Sequence, residues 1–495
     1  MITVEGSGKS DGVSGSKNDE TPVLVVELVV EDMTAPTETH SANSPNSTNP
    51  HDWPRAKKWR AVTIASLYTF ISPISSSMVA PALPSMAIDL QLEPTILEEM
   101  TLSIFVLAYA FGPLILAPLS EVYGRYKILQ CSLWFFIIFN AACGFATNAT
   151  QILIFRFLAG FGGSAPIAVS GAIIADLFGL SETGSAMAYY ALGVILAPAL
   201  GPIVGGVLTQ NTTWHWVFFA VSIITTILAI AGTFLLPETF GPLLESRARK
   251  ISPSLKEPSS QPNPEPKVSQ VLSTAIIRPF ILLGTQPIAQ IIALLMAFVY
   301  GIMYIVLTTY SSLFVLKYDE TTQTSSFHYL ALGLGFLVGN RLSGGLIDYT
   351  SMFLQKRYNT EHKPEYRLLV CIPAAAALPI GLFIYGWAAE YGLHWAIVDL
   401  GIAIFACSVN ITFQSLTVYT VDVYTMYSAS ALAAVGFLRS LAGFGFPLFS
   451  SDMYVQFGYG WGNSILAFVG LFIGFPAPIL LYIYGERVRA KSNFL

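Results

Sequence analysis

The chain has 495 residues, 54% hydrophobic and only 11% charged, with a formal net charge of −5 and a mean hydropathy of +0.60. A water-soluble protein of this length needs far more surface charge, so a soluble enzyme is excluded and a multi-pass membrane protein is expected. The net charge itself says little, because basic and acidic clusters fall on opposite sides of the apolar segments.

Residues 1–52 are rich in Ser, Thr, Asn, Pro and Glu, and 1–58 are expected to form a disordered cytoplasmic tail. Within it, "VLVVELVV" at 23–30 is too short to cross a bilayer. Acidic flanks and the lack of a preceding basic region rule out a signal peptide. "GSGKS" at 6–10 hints at a phosphate loop, but Thr3 stands where a glycine is needed and no strand precedes it.

Apolar segments of spanning length follow at 61–83, 98–119, 128–147, 152–178, 186–209, 215–236, 286–314, 325–347, 367–389, 393–419, 429–451 and 463–485. They predict an all-α membrane protein with twelve transmembrane helices. The Pro/Ser-rich, charged stretch 237–285 reads as a cytoplasmic linker loop between two six-helix bundles, 59–236 and 286–485, with a cytoplasmic tail at 486–495.

Basic residues set the orientation, since short cytoplasmic loops retain them. With the N-terminus inside, Arg55, Lys57, Lys58, Arg60, Arg125, Lys127, Arg247, Arg249, Lys250, Lys256, Lys267, Arg278, Lys356, Arg357, Lys363, Arg367, Arg487, Arg489 and Lys491 lie inside, and Lys317 stands in an outer loop. Glycosylation sequons at Asn148 and Asn211 fall outside in the same arrangement. Both termini are therefore expected in the cytoplasm, with the plasma membrane or the vacuolar membrane as the location. Cys131, Cys143, Cys371 and Cys407 all fall in apolar spans and read as small hydrophobes.

An internal repeat is faintly visible. "APLSE" at 117–121 ends the second span and "GGLID" at 344–348 the eighth, each placing an acid at the inner end of its helix. Duplicated halves of this kind enclose the substrate path of many transporters.

At "LAPLSEVYGRYK", 116–127, the pattern resembles the loop motif between spans two and three of the major facilitator superfamily. Glu121 takes the acidic position, Gly124 and Arg125 match, and Ala117 replaces the first glycine. The turn needs a residue that tolerates positive φ at Gly124, a carboxylate suits a neighbouring helix N-terminus, and Arg125 needs an acid nearby, with Asp176 at the inner end of span four the partner by position. Such contacts close an inner gate. "RFLAGFGGSAP" at 156–166, "WHWVFF" at 214–219, "LPETFGPLL" at 236–244, "PEYRL" at 364–368 and the span at 428–449 extend the likeness over about Trp53 to Arg489. The similar group is the fungal twelve-span drug:proton antiporters. His215 departs from it, standing where those members carry Arg.

That resemblance implies the major facilitator fold of two pseudo-symmetric bundles, and an antiport motif in span five at Gly193, Pro198, Gly201, Pro202, Gly205 and Gly206. The residues themselves agree: Pro202 and Pro198 cannot donate to the carbonyls of Pro198 and Val194, so the helix bends, and Gly201 with Gly205 makes a smooth face for close packing. A hinge and a seal against proton leak follow; passive close packing is the alternative.

Charges within the spans are expensive and mark function. Arg156 is assigned to proton coupling or the substrate path, with snorkelling to the interface as its alternative. Arg439 lies near mid-bilayer and is assigned the same role, or a structural one. Asp399, in the outer third of span ten, is the carboxylate placed to carry a proton, unless interfacial water solvates it. Tyr300 and Tyr304, one helical turn apart, with Gln290, Asn410 and Gln414, are candidates for a substrate pocket suited to an amphipathic organic molecule.

The expected function is export of a hydrophobic or amphipathic drug, toxin or secondary metabolite by alternating access. No cofactor or metal is expected; a proton gradient drives transport. The partners are the substrate, protons and lipid, with no nucleic acid, and the protein acts as a monomer. A proton-linked importer of a polyamine or vitamin is the alternative on the same fold, and a non-transporting membrane sensor the alternative of another class.

Overall fold

The computed structural model describes residues 49–251, 268–359 and 363–490. The expectations for residues 1–48, Lys256, Lys267 and Lys491 lie outside these residues, as do the side chains of Arg247, Arg249 and Lys250. Every regular element among the described residues is helical.

The first half comprises α1 (Arg55–Ser77), α2 (Leu83–Leu90), α3 (Thr95–Tyr123), α4 (Arg125–Cys143), α5 (Ala149–Leu177), α6 (Leu180–Asn211) and α7 (His215–Leu235). α8 (Gly241–Ile251) and α9 (Val268–Thr285) follow. The second half comprises α10 (Pro287–Lys317), α11 (Thr322–Phe327), α12 (Tyr329–Tyr358), α13 (Cys371–Glu390), α14 (Trp395–Val423), α15 (Ser428–Gly445), α16 (Ser450–Val469) and α17 (Pro476–Arg489).

Among the described residues, eleven helical stretches are long and apolar enough to cross a membrane, and one of them, Thr425–Arg489, holds 65 residues. At 1.5 Å per residue that is roughly 100 Å of helix, enough for more than two bilayer cores. It is broken after Gly445 by a 3-10 turn at Pro447–Phe449 and again at Gly458, whose φ is 69°, so it contributes two passes. Twelve passes return the chain to the end where it started, the near end; the opposite one is the far end.

The breaks have local causes. Pro81 has no N–H for the carbonyl of Ser77, so α1 stops there and a 3-10 turn at Ala80–Ala82 leads into α2. A π-turn at Gly470–Gly474 joins α16 to α17. The 237–285 connection differs from the plain loop that its composition suggests, because α8 and α9 occupy its two ends. The Pro/Ser-rich residues cluster between them, whereas Ser273–Thr285 is an apolar helix of its own. Phe280 of α9 packs edge-on against Phe437 of α15, which in turn meets Phe111 of α3, so α9 lies where the two halves meet.

Large apolar side chains cover the outer surface: Ile138 is 62% exposed, Phe234 80% and Phe472 78%. Such a surface suits lipid and would aggregate in water. Polar pairs sit inside instead. Asn140 Nδ2 donates to the Phe218 carbonyl (3.0 Å) and to Ser222 Oγ (2.9 Å), and Gln130 Nε2 to the Ala229 carbonyl (2.7 Å), fixing α4 on α7. Hydrogen bonds of this kind hold helices together where lipid removes the hydrophobic drive.

Candidate functional site

At the near end, Gly124 has φ 101°, the left-handed conformation its turn requires. Arg125, the first residue of α4, is buried. Its Nε lies 3.3 Å from Asp176 Oδ2, its Nη1 donates to Ser120 Oγ (2.8 Å), and Glu121, 3.8 Å away, is largely exposed. Glu121 is therefore not the carboxylate on the helix N-terminus. That place belongs to Glu238, whose Oε1 accepts from the backbone N–H of Arg125 (2.9 Å), Thr239 and Phe240 (both 3.1 Å). A carboxylate there satisfies otherwise unpaired helix N–H groups and meets the positive end of the dipole. These partners all belong to the first half and its trailing segment.

The second half repeats the arrangement, although its sequence echo loses the Gly-Arg pair. Arg367, just before α13, donates to Asp348 Oδ1 in the second half of α12 (2.9 Å) and to Asp422 at the end of α14. Its counterparts are Arg125, Glu121 and Asp176, at equivalent places in the first half. The guanidinium comes from "PEYRL" rather than from the loop, which is why linear spacing hides it.

α6 carries the Gly/Pro motif along the junction of the halves. A Cβ on Gly201 would come within 3.0 Å of the Ile74 carbonyl oxygen, and one on Gly205 within 2.9 Å of the Met78 carbonyl carbon, both at the end of α1. A Cβ on Gly206 would come within 3.0 Å of the Thr322 carbonyl oxygen on α11, across the seam. Gly193 meets the side chain of Phe70 and is less confined. Pro198 and Pro202 lie within the helix, which continues through both.

Further contacts close the far end. Asn211 Nδ2 donates to Gln323 Oε1 (3.3 Å), joining α6 to α11, and deeper along the seam Ser76 Oγ lies 3.2 Å from Tyr304 Oη, joining α1 to α10. Glu99 near the start of α3 is only 4% exposed. Its Oε1 accepts from Ser450 Oγ and the Ser451 N–H, both 2.9 Å, at the start of α16. A carboxylate of one half thus caps a helix of the other. Replacing Glu99 with Ala removes two charge-assisted hydrogen bonds, about 1.5–3 kcal/mol each, and should loosen this seam. A membrane-impermeant maleimide is expected to alkylate a cysteine at Ser451 at least about tenfold faster in the Glu99→Ala background; an unchanged rate would show that Glu99 does not latch the seam.

Mid-way along the seam, the rings of Tyr300 and Tyr304 lie 4.9 Å apart, with Phe413 of α14 6.0 Å from Tyr300. The Arg439 guanidinium on α15 lies 4.9 Å from the Tyr300 ring centre, and its Nε is buried without a hydrogen-bond partner among the described residues. Gly443, one turn on, packs between Tyr300 and Val106 of α3. Asn410 Oδ1 is likewise buried and unpartnered among the described residues, while Gln414 Nε2 reaches Asn340 Oδ1 at 3.4 Å. Gln290 is not part of this group: it lies in the first turn of α10, where its Nε2 donates to the Leu283 carbonyl (2.7 Å) and ties α9 to α10.

Arg156 does not snorkel. It is 0% exposed, and donates from Nε to the Thr101 carbonyl (3.0 Å), from Nη1 to that of Ser75 (3.1 Å) and from Nη2 to that of Ser76 (3.3 Å), with Phe105 and Phe218 against its faces. The break in α1 frees its last carbonyls, and Arg156 binds them. Asp399 is half-buried: its Oδ1 accepts from Tyr310 Oη (2.6 Å), and its carboxylate faces His328. Nothing in the sequence pattern marks Glu99 or His328, and Glu238, though inside the "LPETFGPLL" stretch, is not singled out there as the cap it forms on Arg125.

The sequence model of the Major Facilitator Superfamily matches residues 65–447. The chain belongs to that superfamily. Similar relatives include an uncharacterized transporter of Schizosaccharomyces pombe, 38% identical over 90% of this chain and 92% of its own length. The efflux pump vrtL of Penicillium aethiopicum is 39% identical over 90% and 89%, and the efflux pump radE of Floropilus chiversii 38% identical over 90% and 84%. Among solved structures, the partially occluded, inward-open xylose transporter XylE of E. coli shares the fold at TM-score 0.62 and 12% identity, over 87% of this chain and 98% of its own. As a major facilitator, the chain is a multi-span membrane transporter rather than an enzyme, and the charge clusters around Arg125 and Arg367 stand at corresponding places in its two halves.

Proposed function

We propose that this transporter exports an amphipathic organic molecule from the near to the far side of the membrane in exchange for protons. Both chain ends then lie in the cytoplasm, as the distribution of Lys and Arg supports, and the plasma membrane is the site of export. The observation that carries the reading is Arg439. It places an unpaired guanidinium donor over the ring of Tyr300, where α10, α15 and α3 meet, and so offers one charged contact and an aromatic wall to a substrate. The efflux pumps among the relatives support the direction. Arg156 serves by fixing the end of α1 against which α6 seats, Asp399 belongs to the proton-coupling machinery, and the chain works as a monomer. Asn148, exposed and at the start of α5, is the sequon open to glycosylation, since Asn211 spends its amide on Val207 and Gln323.

The test is export in a yeast lacking its own pumps, against a panel of hydrophobic metabolites and drugs. Arg439→Ala is expected to cut export of whichever compound the unmodified protein carries by at least about tenfold, the equivalent of about 1.4 kcal/mol, with membrane abundance retained. Full export by Arg439→Ala would remove Arg439 from the path, and accumulation of the compounds inside the cell would reverse the direction.

A further inference from the structure

His328 stands at the elbow between α11 and α12, and both of its ring nitrogens face carboxylates. Nδ1 lies 2.9 and 3.1 Å from the two Asp399 oxygens, and Nε2 3.1 and 3.3 Å from those of Glu320. Phe314 stacks on the ring at 3.7 Å and Trp395 meets it edge-on at 5.6 Å, so its plane and reach are fixed. A neutral imidazole has one N–H donor and one lone pair, and an ionised carboxylate only accepts. Two imidazole–carboxylate hydrogen bonds therefore require one proton more than a neutral histidine and two carboxylates contain. Tyr310 already donates to Asp399 Oδ1 (2.6 Å), which leaves that carboxylate the acceptor and places the extra proton between the ring and Glu320.

The same elbow carries the far seam. Ser326 lies two residues before His328, against Gly206 of α6, and Ser325 Oγ bonds to Ser311 Oγ of α10 (2.8 Å). We propose that His328, held between Asp399 and Glu320, is a proton-binding site on the far face, and that its occupancy seats α11 on α6 and closes the far seam. With the proton bound, each ring nitrogen donates to a carboxylate. Without it, a nitrogen lone pair faces a carboxylate at about 3 Å, a repulsive arrangement relieved by moving the elbow. In a proton-driven exporter the incoming proton then does mechanical work, because its uptake from outside after substrate release closes the far end. The inference rests on the exporter reading for the identity of that side.

Most of the other charged and titratable groups around the site are engaged elsewhere. Lys317 at the end of α10 donates to the carbonyls of Ala389 and Glu390 (2.8 and 2.9 Å) and lies 4.0 Å from the Glu390 carboxylate of α13. Tyr318 donates to the Leu393 carbonyl (2.7 Å) and Tyr329 of α12 to that of Leu307 (2.7 Å), while His394 caps α14 through Ala396 N. Tyr385 of α13 packs edge-on against the ring of Tyr310, with its hydroxyl buried and without a hydrogen-bond partner among the described residues, and Asp319 sits in the turn beside Glu320.

The test uses the full-length protein in nanodiscs, with spin labels on cysteines replacing Gln210 of α6 and Thr324 of α11, and pulsed EPR distances between about pH 8 and about pH 5.5, the range in which histidine titrates. A one-proton linkage shifts the ratio of separated to seated populations by up to about tenfold per pH unit. Unmodified His328 should give the short distance in acid and a longer one in alkali. His328→Gln, which cannot donate to both carboxylates, should stay separated throughout, and His328→Lys, whose ammonium between two carboxylates keeps its proton over this pH range, should stay seated at alkaline pH. Asp399→Asn should weaken the pH response in the same sense as His328→Gln. If His328→Gln keeps the pH response of the parent, the proposal falls. The exporter reading is judged separately by yeast export, because the distances require no substrate: a pH response lost in His328→Gln stands even if no compound is exported.

Discussion

Gly205→Leu is expected to leave the protein in the membrane at near-normal abundance and to abolish transport. The reason lies in how α6 meets α1. A Cβ at Gly205 would come within 2.9 Å of the Met78 carbonyl carbon and nearer still to its oxygen. The obstacle is backbone, which cannot rotate away as a side chain would. It is also the part of α1 that Arg156 holds by the carbonyls of Ser75 and Ser76. Overpacking of this kind costs about 1–3 kcal/mol, and a difference of that size between two states is worth roughly 5- to 150-fold in their ratio. The individual helices still insert, because the added side chain is apolar. The measurement is surface biotinylation beside export, with Gly184→Ala as control, since a Cβ there meets nothing within 4 Å. Normal export by Gly205→Leu would show that α6 does not need this contact to move.

How much of this is legible in the sequence follows from the range of each interaction. Helix existence rests on runs of about twenty apolar residues, a local property, and the segments at 215–236 and 98–119 correspond closely to α7 and α3. The close seating of α6 is legible for the same reason: glycines four apart make a smooth face wherever the helix packs. Gln290 is the opposite case. Its polarity suggests a place in the pocket, but it stands at the start of its apolar run, 286–314, and α10 begins at Pro287, so it lies at the near end. Glu99 and Ser450 are 351 positions apart, and Asp399 and His328 71. No spacing rule joins such pairs; the fold alone brings them together. Arg367 stands between these extremes, since the acid echo at Asp348 is visible but the arginine serving it has moved to another segment.

Arg156→Gln is expected to damage folding more than neutralising Glu99, Asp399 or Arg439. Three carbonyls accept from this one guanidinium in a site with no exposure: those of Ser75 and Ser76, which the break in α1 leaves without helix partners, and that of Thr101 within α3. Leaving a buried acceptor unsatisfied costs about 1–3 kcal/mol each, and Gln has neither the length nor the number of donors to reach two helices. The expected loss is therefore about 3 kcal/mol or more, read as a fall of several degrees in thermal stability in detergent and a lower yield in the membrane. Arg156→Lys separates charge from geometry, because an ammonium keeps the charge but lacks the planar fork that spans α1 and α3. If the charge alone matters to the substrate path, Lys should restore transport. If the fork matters, Lys should recover part of the stability while transport stays low, because the end of α1 then no longer presents Met78 to Gly205 in register. A Gln variant as stable as the parent yet unable to transport would instead place Arg156 in the path itself and overturn its assignment as the residue that positions α1.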